Sequence, residues 1–585
     1  MIAGRAARGA LLLVTLLAVA TIALSSLTVF DFWWYLASGQ RILETRSVPA
    51  TDPFSYTAEG RPWINHMWAT QVLFTLLWER WGRFALIGLK TATVVATFWV
   101  VLATMRARGV HPLLASATTL LAAWTGAGFW HARPQMFTYL FVAILAWLLR
   151  AGWEDRRFTL ALVPALVALW VNLHAGFVMA FVVIGITGLG TTLPLLVDRE
   201  RRGAGWRAVG LTAVLGVAAA AASLLNPFGV RAILFPLEVV RSVPFMTSTI
   251  EWFPPNFHHA SFRPLELMLL LLFPAFAWGR ARLSAADVGL VLVFANLGLT
   301  SVRHVPLFAV VAAPPLAAAL QEALAEWRRV DWARVHAAAR RRLPSLAPAL
   351  TAPGTPVVAG AVLLLAAVSA HWAGMAQVPT NPLRLDLAES RYPGRTMTFI
   401  REHRLPPQLF SVYAWGGYEL WRLYPEYRMF MDGRTHVYGA DVLRDFLDVV
   451  NVSPRWQFVL DKWQVQTILA LRSSPLAETL VAQGGWRLVF TEREAAVFVR
   501  ETDANRALLA RLARRSREEA PGGPAEAGGH GLRPTGPDAG VAAGAPGLPR
   551  VAIGGVPDDR ARRGLLEQML QAPGFVQRLS QYHAI

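Results

Sequence analysis

Eleven apolar stretches, at 10–30, 84–105, 112–129, 132–149, 158–173, 176–197, 207–225, 264–279, 284–300, 305–322 and 356–374, constrain this chain more than any other feature. Most approach the roughly 20 residues a helix needs to cross a hydrocarbon core. A lipid-exposed segment must also satisfy its backbone polar groups internally, which for runs of this kind means an α-helix. The connections alternate in charge: Arg5 and Arg8, Arg106 and Arg108, Arg150 to Arg157, Arg199 to Arg207, Arg280 and Arg282, and Arg328 to Arg342 fall at every second one. Positive connections face the cytoplasm. The pattern therefore predicts an α-helical polytopic membrane protein of about 11 spans with a cytoplasmic N-terminus.

Composition agrees, with 54% hydrophobic and 16% charged residues and a mean hydropathy of +0.39, outside the usual soluble range. A net charge of +18 raises nucleic acid as a partner, but lysine occurs only at Lys90 and Lys462, and the arginines sit in short loops where they set topology. No nucleic-acid partner is expected. The absence of cysteine excludes disulfides, thiol catalysis and cysteine-ligated metals. Abundant arginine, alanine and glycine point to a bacterium of high genomic G+C content, and the helical spans to its inner (cytoplasmic) membrane. Arg5, Arg8 and Ala18-Val19-Ala20 have the marks of a signal peptide, but apolar character continues to Phe30 and favours an uncleaved anchor. Residues 67–79 are apolar as well. Thirteen residues make roughly 20 Å of helix, too short to span, so they are expected at the outer surface with Trp63, Trp68, Trp78 and Trp81 at headgroup depth.

The resulting division is a membrane domain over 1–320, a cytoplasmic basic linker over 321–355, a last spanning helix over 356–374, an extracytoplasmic α/β domain over 375–500, and a largely disordered tail with short helices over 501–585. In the outer domain, strands are expected at Leu409–Tyr413, Arg428–Asp432, Val465–Leu471, Trp486–Thr491 and Ala495–Arg500. Helices are expected at Arg395–His403, Gly417–Leu423, Ala440–Val450 and Pro475–Gln483.

This topology gathers polar residues at the outer ends of the spans: Asp31, Asp52 and His66 early, then His131 and Arg133, Asn172 and His174, Glu251, and Arg303 with His304. Ionisable groups at a membrane are costly and usually have a use. Each also has a plainer reading: Asp52 before Pro53 suits an Asx turn, Lys90 within a span suits snorkelling, and the histidines lack the helical spacing of a zinc site. Gly416-Gly417 is read either as a helix start able to hold an anion or as a tight turn. Asp432 and Arg434 are read as an ion pair locking a turn, and Tyr413 and Trp415 as rings able to stack on a sugar.

Asp31-Phe32-Trp33-Trp34-Tyr35-Leu36-Ala37-Ser38-Gly39, Asp52-Pro53-Phe54-Ser55-Tyr56-Thr57 and His131-Ala132-Arg133-Pro134 resemble the bacterial multispanning proteins classed with GT-C glycosyltransferases, lipid-linked-sugar transferases related to the protein mannosyltransferase and arabinosyltransferase types. Tyr413-Ala414-Trp415-Gly416-Gly417-Tyr418 and Met431-Asp432-Gly433-Arg434 resemble the outer domain attached to this group. The resemblance covers about residues 10–500 and implies a GT-C-like membrane domain. It also implies transfer of sugar from a polyprenyl-phosphate donor to a saccharide, lipid or protein acceptor in the cell envelope. Asp31 would then be the general base, Arg133 and Arg303 candidates for the leaving phosphate, and His66, His174 and Asn172 orienting groups. Many members carry two adjacent acids where this chain has Asp31-Phe32, so either Asp52 or Glu251 supplies the second carboxylate or the site works with one. No cofactor follows with certainty, and a divalent metal stays open. The competing readings are a flippase or transporter of a lipid-linked saccharide and a non-catalytic membrane scaffold.

Overall fold

The computed structural model describes residues 2–25, 27, 30–154, 157–241, 250–278, 283–328 and 392–518. Among the described residues, thirteen helices of ten or more residues precede the outer domain: α1 (Ile2–Ala23), α2 (Phe32–Thr45), α3 (Trp68–Trp81), α4 (Arg83–Ala107), α5 (Pro112–Thr125), α6 (Gln135–Glu154), α7 (Leu162–Leu173), α8 (Val178–Val197), α9 (Arg202–Ser223), α10 (Val230–Arg241), α11 (Arg263–Trp278), α12 (Ala285–Thr300) and α13 (Val305–Arg328). Among the described residues six helices are long and apolar enough to cross a membrane, and shorter apolar helices lie at Arg8–Ala23, Pro112–Thr125, Phe158–Leu173 and Ala285–Thr300. Ten of the expected stretches thus carry a helix. The eleventh, at 356–374, lies outside the described residues, as do most of the 321–355 linker and the tail beyond Glu518.

Local chemistry sets the helix boundaries. His111 caps α5 through Nδ1 and Pro112 opens it, where a missing N–H costs nothing. Ser284 and Asp287 form a capping box at the start of α12, and Asp287 also pairs with Arg108 just past the end of α4. Gly82 takes φ +63° between α3 and α4, a left-handed corner that glycine adopts without strain. α13 is the central helix, packed against α4, α5, α6, α11 and α12. Its buried Ala309, Ala312, Ala313, Ala317 and Ala319 let backbones approach closely, as membrane bundles require in the absence of a hydrophobic driving force.

The first apolar stretch departs from expectation at its end: α1 stops at Ala23, and Asp31 opens α2 rather than closing a span. α3 packs against α2, α4 and α7. Trp63 is buried inside the protein, at 1% exposure.

The outer domain begins with α14 (Gly394–Glu402) and carries β1 (Gln408–Ser411), α15 (Tyr413–Leu423), β2 (Arg428–Met429), α16 (Thr435–Val450), α17 (Trp456–Lys462), β3 (Thr467–Leu471), α18 (Pro475–Gln483), β4 (Trp486–Glu492) and β5 (Ala495–Arg500), followed by α19 (Arg506–Glu518). The sheet order is β2-β1-β3-β5-β4, with β1 parallel to β2 and β3, and β5 antiparallel to β3 and β4. Every residue of β3 is buried, as a central strand covered on both faces requires. The expected strands and helices are all present, while α17 was not foreseen. Gly416 and Gly417 lie inside α15 rather than at its start, so they form no anion-binding helix end. A Cβ at Gly416 would strike the Met431 carbonyl, and Gly417 faces Phe30 and Trp34.

The first outer loop joins the two parts. Phe54 and Tyr56 exchange backbone hydrogen bonds with Met429 at 3.1 and 3.2 Å, extending the sheet beyond β2. Arg61 donates to the Tyr438 carbonyl at 2.7 Å and pairs with Asp441.

Candidate active site

Packing of α2, α6, α8, α10 and α13 against the rim of the outer domain leaves a cavity of about 510 Å³. Of the residues singled out from the sequence it collects Asp31, His66, Arg133, His174, Glu251, Arg303, His304 and Tyr413.

Arg133 stands just before α6 and joins the acids: one terminal nitrogen pairs with Asp31 Oδ2 and the other with Glu251 Oε1. Asp31 Oδ1 accepts from Trp34 Nε1 at 3.2 Å, one turn into α2. Gly433 of the outer domain comes so close that a Cβ there would overlap Asp31 Oδ1. Glu251 is held from its other side, its carbonyl accepting from Ser301 Oγ at 2.8 Å. Burial by itself would raise the Glu251 carboxyl, but Arg133 and Arg303 outweigh it and bring it down to about 2. Of the two acids named as a second carboxylate, Glu251 lines the cavity and Asp52 does not. Arg303 lies over the Trp252 ring at 4.1 Å and makes no ion pair among the described residues.

The histidines have another character. Burial pushes His66 down to about 4, with Arg303 adding to the effect, and burial brings His436 to about 3. Both are neutral at neutral pH.

Five expected site residues, Asp52, Asn172, Trp415, Asp432 and Arg434, lie elsewhere. Asp52 forms its Asx turn, accepting from Phe54 N at 3.2 Å and Ser55 N at 3.0 Å and also from Ser55 Oγ, and it makes a fully buried ion pair with Arg434 at 2.6 Å. Arg434 also grips Asp432 at 2.6 Å between the rings of Phe54 and Trp63 at 4.8 and 4.7 Å. The Asp432–Arg434 pair locks the turn as expected, and in addition clamps the outer domain to the first loop. Asn172 is a strut, accepting from Trp68 Nε1 at 2.8 Å and donating to the Leu225 carbonyl at 2.7 Å. Trp415 is 1% exposed and offers no face to a sugar.

The cavity also contains Tyr35, Trp252 and Gly433, noted in the sequence but not put forward as site residues, and Thr138, Tyr139, Phe235, Thr435 and His436, which the sequence did not single out. His436 had a usable signal, since it stands two residues after the Asp432-Gly433-Arg434 motif. Phe235 had none, being one apolar residue in an amphipathic helix.

Among the described residues no group of three or more His, Asp or Glu side chains is placed to hold a metal ion. The two cavity carboxylates instead share a guanidinium, so the donor set as arranged fits Arg133 and not a divalent ion.

No family model matches this chain, and no curated protein matches it. Among solved structures, the archaeal oligosaccharyltransferase AglB from Archaeoglobus fulgidus, in complex with an inhibitory peptide and a dolichol-phosphate, aligns at TM-score 0.52 and 12% identity over 79% of this chain and 69% of that one. ArnT from Cupriavidus metallidurans in the apo state aligns at TM-score 0.43 and 18% identity over 84% of this chain and 97% of that one. A second Archaeoglobus fulgidus oligosaccharyltransferase structure, in complex with Zn and sulfate, aligns at TM-score 0.43 and 13% identity over 79% and 68%. The likeness to AglB bears out the fold that the motifs implied: a GT-C-like multi-pass membrane protein carrying a C-terminal α/β domain.

Proposed function

We propose that the chain is an integral membrane glycosyltransferase that moves a sugar from a polyprenyl-phosphate donor to an acceptor hydroxyl on the extracytoplasmic face of the bacterial inner membrane. The observation that carries this reading is the single cavity in which Asp31, Glu251, Arg133 and Arg303 meet, within a fold shared with an oligosaccharyltransferase. The dolichol-phosphate of that relative supports a polyprenyl-phosphate donor here, and the arginine-bearing connections support an outward-facing cavity and a cytoplasmic N-terminus. Saccharide, lipid and protein hydroxyls are all chemically competent acceptors.

In this reading the acceptor hydroxyl oxygen attacks the anomeric carbon and its proton passes to the Asp31 carboxylate. The bond from the anomeric carbon to phosphate breaks, and its electron pair leaves on the phosphate oxygen. Arg303 serves that oxygen, because its fork is not occupied by a carboxylate among the described residues and the Trp252 face holds it in place. Stabilising charge that develops on the leaving group is commonly the largest catalytic contribution. Arg133 has a different part: its two terminal nitrogens are engaged by Asp31 and Glu251, so it orients the base instead of gripping phosphate.

The test is transfer from a panel of polyprenyl-phosphate sugars by purified protein, with and without chelator, comparing wild type with Asp31→Asn. Transfer that falls by at least ~100-fold in the variant while the fold survives, as loss of a general base entails, supports the reading. Unchanged chelator-treated activity supports the arginine-bridged site. Donor binding without transfer, with Asp31→Asn indistinguishable from wild type, returns the chain to the flippase or scaffold reading.

A further inference from the structure

We propose that the end of the cavity walled by His66, His174, Phe235 and His436 is a binding subsite for a neutral sugar ring, one bearing neither carboxylate nor ammonium. The inference deepens the glycosyl-transfer reading and rests on it for the assignment of the ring to a substrate.

The four rings come from four separate segments: the first outer loop, the turn between α7 and α8, α10, and α16 of the outer domain. Phe235 stacks on His66, with ring centroids 4.6 Å apart and planes at 30°, and meets His436 edge-on at 5.2 Å. His66 lies 6.4 Å from His174 and 6.2 Å from His436. They therefore form one continuous aromatic wall.

The hydrogen-bond partners assign the protons. Trp170 Nε1 donates to Thr138 Oγ1 at 2.9 Å, and the Thr138 hydroxyl passes its own proton toward His174 Nδ1 at 2.8 Å. His174 Nδ1 also accepts from the Gly176 N–H at 3.0 Å, so this nitrogen is bare and Nε2 carries the hydrogen. His66 Nδ1 faces the Ile64 carbonyl at 3.3 Å, which requires the hydrogen there and leaves Nε2 an acceptor. His436 Nε2 is buried without a hydrogen-bond partner among the described residues. Burial keeps His66 and His436 uncharged at neutral pH. The acids of the cavity, Asp31 and Glu251, are both engaged by Arg133.

The wall thus presents an N–H from His174 and a lone pair from His66, with no net charge on either ring. A hydroxyl both donates and accepts, so it matches such a pair. A carboxylate or phosphate would meet the lone pair of His66, and an ammonium would meet the N–H of His174. Phe235 adds an apolar surface to the lining of this wall, which complements the apolar C–H face of a pyranose. Charge recognition belongs to Arg303, held over the Trp252 ring.

Binding is measured on the full chain in detergent by saturation-transfer NMR with methyl glucoside, methyl glucuronide and methyl glucosaminide, which are neutral, anionic and cationic. Methyl glucoside is expected to show transfer and the two charged glycosides none. The methyl glucoside signal is expected to fall ~5-fold or more in Phe235→Ala and in His436→Ala, in line with loss of one stacking or hydrogen-bonding partner. Equal or stronger transfer to a charged glycoside in wild type overturns the proposal, and that comparison needs no variant to fold. A methyl glucoside signal that neither substitution reduces overturns it as well. Polyprenyl monophosphate binding, measured in parallel, separates the two readings. Retained lipid-phosphate binding with no glycoside signal rejects the subsite alone, whereas a glycoside signal without lipid-phosphate binding rejects the donor reading and leaves the subsite standing. Displacement of methyl glucoside by polyprenyl-phosphate glucose, but not by polyprenyl monophosphate, assigns the ring to the donor; co-binding assigns it to the acceptor.

Discussion

Glu419 shows how a buried residue outside the cavity reports its surroundings. It lies fully buried in α15 and accepts from Ser411 Oγ at 2.6 Å, and burial raises its carboxyl to about 8 despite that bond. In the unfolded chain the group titrates near its ordinary value of roughly 4.3. Between these values the folded state holds a proton that the unfolded state has released, so this contribution to stability is complete at acid pH and is lost as pH rises towards 8. Glu419→Gln keeps an acceptor for Ser411 and removes the titration. The variant should match wild type near pH 4.5 and exceed it by on the order of 1–3 kcal/mol at pH 8, read as a Tm difference that grows with pH. A pH-independent difference would place the raised carboxyl elsewhere. The opposite sign holds for His66 and His436, whose lowered values favour the neutral ring in the fold; their contribution is lost as pH falls below about 6.5.

Among the elements, the first outer loop carries more of the architecture than its length suggests. It adds backbone bonds beside β2, places Asp52 against Arg434, and supplies Phe54 and Trp63 as the two faces that hold the guanidinium. A buried pair of this kind is not itself strong evidence of stability, but breaking it is costly because an uncompensated charge stays buried. Arg434→Met leaves both Asp52 and Asp432 without their cation and should cost roughly 3–5 kcal/mol. The measurement is limited proteolysis, in which the variant releases the outer domain sooner than wild type. Equal cleavage rates would show that the backbone pairing alone holds the loop to the sheet. Because Gly433 and His436 flank Arg434 and line the cavity, the same variant should also weaken methyl glucoside binding.

At the scale of the whole molecule, orientation decides which pool of substrate the cavity meets. The chain has no cysteine, so any introduced thiol is the sole one. Among the described residues, α9, long and apolar enough to span, and the shorter α10 separate the exposed Arg201 from the loop that carries Glu251 and the exposed His259. With a membrane-impermeant maleimide on spheroplasts, His259→Cys should label and Arg201→Cys should label only after lysis. The reverse pattern would turn the cavity to the cytoplasm and remove the outer-leaflet donor from the mechanism.

What the sequence by itself determined are the features encoded by periodicity and transfer energy: apolar runs long enough for helices, arginines marking one side, and the alternation of strands and helices in the outer domain. Those signals are local, because a spanning run or a buried strand declares itself within its own residues. Asp31, Arg133 and Glu251 could be nominated for the same reason, each being an ionisable group at the edge of an apolar stretch or in a connection between two of them. Tertiary structure alone decided that Arg133 bridges the two acids, that Asp52 serves the outer domain instead of the cavity, that Trp415 is interior, and that Phe235 and His436 face the histidines of the membrane domain. Partners 118 residues apart, like Arg133 and Glu251, or 382 apart, like Asp52 and Arg434, leave no periodic trace in the chain. Their pairing is fixed only when the bundle and the sheet pack and water is excluded between them, where a charge without a partner costs the most.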